Sequence, residues 1–180
     1  MELRPAQLSD APAIARVHVE TWRTAYRCIL SDEFLDTLSY ERRAKFWRQL
    51  LDPSNPNPVP SRHFVYVVEH STEQVVGFAS GGSERDHHPV YRGELGGIYI
   101  LENYQHHGLG RELVGAIARR LLTYDIQTML VWVLADNRPA RQFYQALGGL
   151  LVGDRLIQIG SASLNEVAYG WVNLHSLALS

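Results

Sequence analysis

The sequence predicts an α/β protein in which a mixed β-sheet carries helices on both faces. Segments with the period-two pattern of strands occur among segments whose apolar residues recur at helical spacing. In the middle of the chain, a strand, an amphipathic helix and the apolar segment TMLVWVLA (residues 128–135) follow one another. That order is typical of a right-handed parallel crossover, and we expect the remaining strands to pair antiparallel.

The composition is that of a folded protein, because 46% of the 180 residues are hydrophobic and 20% are charged. We expect a single domain over residues 1–180. The formal charge of −2 gives no broad attraction to nucleic acid or to anionic membrane. Cys28 is the only cysteine, so an internal disulfide is excluded, as suits a reducing compartment.

The first twenty residues carry charges and do not resemble a secretory signal. The longest apolar run has seven residues, whereas a membrane-spanning helix needs about 20. We therefore expect a cytoplasmic protein without membrane or nucleic-acid partners.

The N-terminal part predicts one strand followed by helices. ELRPAQ (residues 2–7) is typical of a short strand, and Ser9 or Asp10 is placed to cap a helix with Pro12 in its first turn. The apolar stripe of this helix is Ile14, Val17, Trp22, Ala25 and Ile29. Further helices are predicted at Asp32–Leu38 and Glu41–Leu51, and the four prolines of Asp52–Ser61 predict a loop.

The remaining chain predicts most of the sheet. The strands are expected at His63–His70, Gln74–Gly82, Gly93–Leu101, 128–135, Leu150–Ile159 and Glu166–Val172, with a turn at residues 71–73. Gly96 and Gly97 weaken their strand locally and indicate a bulge or a close approach of another group. One helix follows residue 108, and another over residues 136–149 ends at two glycines.

The loop between the third of these strands and its helix contains Gly108 and Gly110. It is either a tight turn or a cradle for an anion, since the first turn of a helix offers unpaired N–H groups and the positive end of its dipole. It is neither a nucleotide P-loop nor a dinucleotide fingerprint, because Arg111 and Glu112 follow Gly110 and Leu113 replaces the third glycine. The adjacent histidine pairs at 87–88 and 106–107 lack metal-ligand spacing, and no metal is expected.

Two motifs carry a resemblance to a known family. The pattern Gln105-x-x-Gly108-x-Gly110, between GGIYILENY and an amphipathic helix, resembles the acetyl-coenzyme A loop of GNAT N-acetyltransferases, Arg/Gln-x-x-Gly-x-Gly/Ala. ADNRPARQFYQALGG (residues 135–149) resembles the later motif of that family, and residues 3–22 resemble its first strand and helix. The resemblance covers most of the chain. It implies a seven-stranded sheet splayed between the strands that end near Ile100 and Leu134.

The resemblance also implies roles for individual residues. The cofactor pyrophosphate would lie on the loop formed by Gln105, His106, His107, Gly108, Leu109, Gly110 and Arg111, mostly on backbone N–H groups. The pantetheine arm would lie along Ile98, Tyr99 and Ile100, with Asn137 bonding it near the end of the next strand. The bulged strand would expose N–H groups to the thioester carbonyl.

Tyr144 and Glu94 are the candidate catalytic residues. Tyr144 matches the general acid of the family, and a phenol with a pKa near 10 can protonate a thiolate whose pKa is near 8.5. A lysine-like acceptor with a pKa of about 10.4 is neutral in roughly one molecule in 2,500 at pH 7, so a base is needed. Glu94, at the start of the strand that holds the acetyl group, is the candidate; Glu84 and His88 are alternatives.

The implied activity is direct acetyl transfer from acetyl-coenzyme A to a primary amine of a small molecule or peptide. The alternatives are a different acyl donor and a non-catalytic acyl-coenzyme A sensor, which would need neither catalytic residue. Trp22, Tyr26 and the segment CILSDEF (residues 28–34) are candidates for one wall of the acceptor site. The C-terminal VNLHSLALS either covers a partner in a homodimer or frays.

Overall fold

The computed structural model describes residues 1–55, 63–70 and 74–179. Its strands are β1 (Glu2–Pro5), β2 (His63–His70), β3 (Gln74–Ser83), β4 (Gly93–Ile100), β5 (Met129–Leu134), β6 (Leu150–Ile159) and β7 (Ala162–Trp171). Its helices are α1 (Ala11–Ala25), α2 (Asp32–Asp36), α3 (Tyr40–Leu51), α4 (Leu109–Leu122), α5 (Arg138–Ala146) and α6 (His175–Ala178). Short 3₁₀ turns precede α1 and α4.

The described strands form one seven-stranded sheet in the order β1-β2-β3-β4-β5-β7-β6. The β4–β5 pair is parallel, and the other pairs are antiparallel. The predicted fold class and its central parallel crossover are therefore confirmed. The exchange of the last two strands, which leaves β6 at the edge, is not visible in the sequence pattern.

The two parallel strands separate soon after they begin. Their ladder runs from Gly93 opposite Met129 to Leu95 opposite Val131, although β4 continues to Ile100. On the other side of β4, Ser80 lies opposite Gly97 and Gly81 opposite Leu95, so Gly96 is an additional residue in β4. This is the bulge that the glycine pair indicates, and it lies where the sheet opens.

Helices pack on both faces of the sheet through buried apolar residues. On one face, α4 contributes Leu113, Ile117 and Leu121, all fully buried. On the opposite face, α1 and α3 pack through Ile14 and Trp47. Helices therefore cover both faces as predicted, and none of the helices within the described residues is long and apolar enough to cross a membrane.

The C-terminal segment packs against its own chain. Leu174 and Leu177 are buried, and the guanidinium of Arg119 on α4 donates a hydrogen bond of 2.9 Å to the carbonyl of Ala178. Of the two alternatives for this segment, fraying is not what the structure shows up to residue 179.

The N-terminal helix differs from its prediction at both ends. Asp10 occupies the cap position, but its carboxylate accepts hydrogen bonds from the Gln7 N–H at 2.7 Å and from the guanidinium of Arg4, so it closes the preceding turn. The helix ends at Ala25 and not at Ile29, because Tyr26 leaves the helical conformation. Most of the predicted proline-rich loop (residues 56–61) and the predicted turn at residues 71–73 lie outside the described residues.

Candidate active site

A cleft of about 550 Å³ opens where β4 and β5 separate. The end of β4 forms one wall and α5 forms the other, while the loop before α4 and the end of α1 close the two remaining sides. The lining includes most of the residues that sequence reasoning assigned to the cofactor, namely Ile98, Tyr99, Ile100, Gln105, His106, Gly108, Gly110, Arg111 and Asn137. His107 and Leu109 do not line it, and Leu109 is buried in the core.

The loop before α4 has a backbone that few residues can adopt. Gly108 is the cap residue of the helix and has a φ of +83°, with no atom within 4 Å of where a Cβ would lie. Glycine is therefore favoured at position 108 because of the backbone conformation, and not because a side chain would lack space. His106, two residues earlier, also has a positive φ of 63°. Because glycine has no side chain, it supplies no cap of its own to the first-turn amides of α4.

Gly110 has a different requirement. A Cβ at this position would lie 2.9 Å from the Cζ atom of Phe143 on α5. The glycine thus lets the aromatic ring of α5 close over the start of α4, which narrows the cleft. Gln105, expected to donate to the cofactor, donates from Nε2 to the Ile100 carbonyl at 2.9 Å and so ties the loop to the end of β4.

Tyr144 lies on α5 at the inner end of the cleft and is only 4% exposed. Its ring packs against Phe143, Tyr169 and Trp171. The pKa of the Tyr144 phenol is raised above its ordinary value, mainly by burial and to a smaller extent by the nearby Tyr99. The hydroxyl is therefore protonated at neutral pH, so it can donate a hydrogen bond or a proton.

Two further phenols share this environment. Tyr26, the first residue after α1, lines the same cleft, and its pKa is raised by burial and then by Tyr99 and Tyr144. The sequence predicts Tyr26 on the acceptor wall, but nothing in the pattern indicated that it shares a cleft with Tyr144. Burial also raises the pKa of Tyr99.

Asn137 is the cap residue of α5. Its Oδ1 atom accepts a hydrogen bond of 3.3 Å from the Ala140 N–H, and the residue also lines the cleft. One oxygen of the side chain is thus committed to starting the helix that carries Tyr144. The amide nitrogen of Asn137 is hydrogen-bonded to the hydroxyl of Tyr26, so a ligand bonded to this amide, as the sequence predicts, would share it with Tyr26.

Glu94 lies in a different place. It lines a second cavity of about 330 Å³ between the sheet and the helices α1 and α3, and it is 4% exposed. Arg85 holds its carboxylate in a two-pronged ion pair, with Nε to Oε2 at 3.0 Å and Nη2 to Oε1 at 2.5 Å. The same pair raises the pKa of the Arg85 guanidinium. Tyr99 lines both cavities, of which the first contains Tyr144 and the second contains Glu94.

The alternative bases have structural partners in their own loop. The carboxylate of Glu84 accepts hydrogen bonds from the N–H groups of Asp86 and His88, at 2.8 Å and 2.7 Å. The Nδ1 atom of His88 accepts from Val90 and Tyr91. These side chains shape the loop before β4. Among the described residues, no three histidine, cysteine or acidic side chains are grouped as a metal would require.

Known proteins resemble this chain in sequence and in fold. The acetyltransferase (GNAT) family profile matches residues 19–149. YuaI of Bacillus subtilis (strain 168), named an uncharacterized N-acetyltransferase, is 36% identical over 175 residues, which cover 97% of this chain and 95% of YuaI.

Many solved structures share the fold, including two solved with coenzyme A or acetyl-CoA. The PaiA N-acetyltransferase of Thermoplasma acidophilum in complex with coenzyme A has a TM-score of 0.71 and 19% identity, covering 92% of this chain and 96% of PaiA. The yncA structure from Salmonella typhimurium, solved with acetyl-CoA, has a TM-score of 0.68 and 20% identity, covering 97% and 94%. The family match spans the cleft, the loop before α4 and the helix that carries Tyr144. This chain therefore belongs to the GNAT family of acetyltransferases.

Proposed function

We propose that the protein transfers an acetyl group from acetyl-coenzyme A directly to the primary amine of a small molecule or peptide. As a member of an acetyltransferase family, it is an enzyme that uses acetyl-coenzyme A as co-substrate. The observation that carries the proposal is the cleft itself. It runs from the uncapped first turn of α4 to the buried phenol of Tyr144, along a strand that its parallel neighbour has left.

The shape and polarity of the cleft suit a long ligand with an anionic end. The amides that begin α4 after Gly108 offer hydrogen bonds and the positive end of a helix dipole to a diphosphate. Beyond Leu95, the β5-facing edge of β4 has no ladder with β5. The peptide groups of Ile98 and the N–H of Ile100, whose carbonyl accepts from Gln105, can therefore bind an extended amide-containing arm as a neighbouring strand would.

The chemistry needs few groups from the protein. The nitrogen of a neutral amine attacks the thioester carbonyl carbon, a C–N bond forms and the C–S bond breaks. The nitrogen loses one proton and the sulfur gains one, so the products are the N-acetylated amine and coenzyme A. Holding both reactants side by side makes a covalent enzyme intermediate unnecessary.

Tyr144 is the proposed donor of the proton to the departing sulfur, because its phenol is protonated and lines the cleft. Amide groups at the Gly96 bulge are proposed to stabilise the charge that develops on the thioester oxygen. The proposed base is Glu94, acting through water from the second cavity, with Arg85 fixing its orientation. Bringing a lysine-like amine to its neutral form costs about 4.6 kcal/mol at pH 7, which a base offsets in part.

The test is release of the coenzyme A thiol from acetyl-, propionyl- and succinyl-coenzyme A with a panel of amines. The panel contains amino acids, polyamines, aminoglycosides and peptide N-termini, and binding of each thioester is measured separately. We expect turnover with the acetyl donor on at least one amine class. Tight binding without turnover on any amine would identify a sensor, and a preference for another thioester would change the transferred group.

A further inference from the structure

The second cavity lies on the opposite face of β4 from the start of α4 and is built from residues far apart in the chain. Its walls come from α1, α3, the start of β2, the end of β3 and the start of β4. At about 330 Å³, it is within the range of cavities that hold small ligands. Tyr99 and Gly96 belong to the strand that borders the proposed thioester site, so a ligand here would lie beside the reacting groups.

The charged groups of this cavity sum to one positive charge. Arg85 is neutralised by Glu94, whereas the Arg43 guanidinium has no acidic partner among the described residues and lies near the rings of Trp22 and Phe46. The two histidines add no charge at neutral pH. Burial lowers the pKa of His18 to about 3, and burial followed by the Arg85 charge lowers that of His63 to about 4.

Two buried polar side chains of the cavity lack hydrogen-bond partners. His18 is 6% exposed and Trp47 is 3% exposed, and neither the two imidazole nitrogens nor the indole Nε1 atom is bonded. A neutral imidazole and an indole each have one N–H donor. A buried donor without a partner costs stability, and an acceptor group on a ligand in this cavity would offset that cost.

The geometry of His18 is fixed by its neighbours. Its ring is stacked on Tyr99, with centroids 4.6 Å apart and planes at 20°. The rings of Trp47 and Phe78 lie 5.8 and 5.9 Å away. The ring is therefore held in one orientation, so binding of a ligand beside it would require little further ordering. Phe46 and Leu50 form an apolar part of the wall beside polar residues such as Ser80 and Ser83.

We infer that the second cavity binds the amine acceptor, and that this acceptor is an amino acid or similar compound with an apolar side chain and a carboxylate that pairs with Arg43. The inference rests on the proposed function for the identity of the reaction. A carboxylate accepts hydrogen bonds only, which matches the free guanidinium and the N–H groups of His18 and Trp47. The side chain of the ligand would lie on Phe46 and Leu50, with its amine towards Gly96.

In this arrangement the reaction is the same acetyl transfer, and its atoms and protons are conserved. The amine nitrogen of the bound amino acid attacks the thioester carbon, loses one proton towards Glu94, and releases the thiol with one proton added to sulfur. The carboxylate of the acceptor is unchanged throughout and serves to position the amine.

The experiment compares matched pairs that differ only in the carboxylate, L-phenylalanine with 2-phenylethylamine and L-leucine with 3-methylbutylamine. In the wild type we expect kcat/KM to be at least about 10-fold higher for each acid, the value of one charge-assisted hydrogen bond. Arg43→Met should abolish this preference and Arg43→Lys should keep part of it. Arg48→Met, which alters an exposed arginine of the same helix that does not line the cavity, should leave it unchanged.

A second measurement does not depend on turnover. Calorimetric titration of N-acetyl-L-phenylalanine and N-(2-phenylethyl)acetamide into the protein saturated with coenzyme A should show binding of the acid alone, weakened about 10-fold by Arg43→Met. Equal turnover and equal binding within the pairs would overturn the inference and leave the proposed function standing. Failure to acetylate any amine would instead overturn the proposed function and the acceptor assignment together.

Discussion

His18 should make folding sensitive to acid, and the size of the effect follows from its burial. Burial, with a smaller contribution from the Arg43 charge, lowers its pKa from 6.5 to about 3. Below pH 6.5 the unfolded chain therefore takes up a proton that the folded protein does not accept until about pH 3. The stability contributed by the neutral imidazole is complete above pH 6.5 and is lost progressively as the pH falls below it.

The magnitude follows from linkage. Each pH unit inside this window changes the free energy of unfolding by about 1.4 kcal/mol. Lowering the pH from 7 to 5 therefore removes about 2 kcal/mol through His18 alone. His63, whose pKa is lowered to about 4, adds a similar loss over the same interval.

The assay is urea unfolding of the wild type and of His18→Phe at pH 7 and pH 5. The phenylalanine keeps an aromatic ring beside Tyr99 but cannot take up a proton. We expect the variant to lose about 2 kcal/mol less unfolding free energy between the two pH values than the wild type does. His175→Gln alters an exposed histidine on α6 and should behave as the wild type. Equal losses in the wild type and His18→Phe would refute the reasoning.

Three further predictions concern the cleft. Tyr144→Phe should lower kcat by about 100-fold with unchanged binding of coenzyme A, because only the donor to the departing sulfur is removed; wild-type turnover would exclude the acid role. Gly108→Ala and Gly148→Ala each place alanine at a φ above +80° with space for its Cβ. Both should lower the free energy of unfolding by about 1 kcal/mol, but only Gly108→Ala should weaken coenzyme A binding; equal affinities would argue against a diphosphate at this loop. Asn137→Ala should cost about 1 kcal/mol of stability through the lost helix cap, and Asn137→Asp should restore it. A raised KM for acetyl-coenzyme A in both variants would indicate that the amide nitrogen binds the arm, and an unchanged KM in the aspartate variant would assign the residue to capping alone.

The hydrophobic periodicity and the turn residues of the sequence predicted most of the helices and strands. The stripe of α4, the apolar run of β5 and the glycines of β4 are local patterns, and they predicted the central crossover and its bulge. The Gln105–Gly110 motif predicted the position of the cleft, because a loop between a strand and a helix must lie at the end of that strand. The sequence did not predict the order of β6 and β7, since both strands have similar patterns and either could pair with β5.

The partners of individual side chains were decided only by the tertiary structure. Glu94 was a visible carboxylate, but its ion pair with Arg85 and its place in a second cavity depend on how β3 and β4 meet. Tyr26 lines the cleft directly after α1, which ends earlier than its apolar stripe suggested. His18 and Arg43 are 25 positions apart on different helices, and only the packing of α1 and α3 on one sheet face brings them to the same cavity. Local sequence fixes which backbone conformation is favourable, whereas charge, burial and pKa depend on neighbours that lie far along the chain.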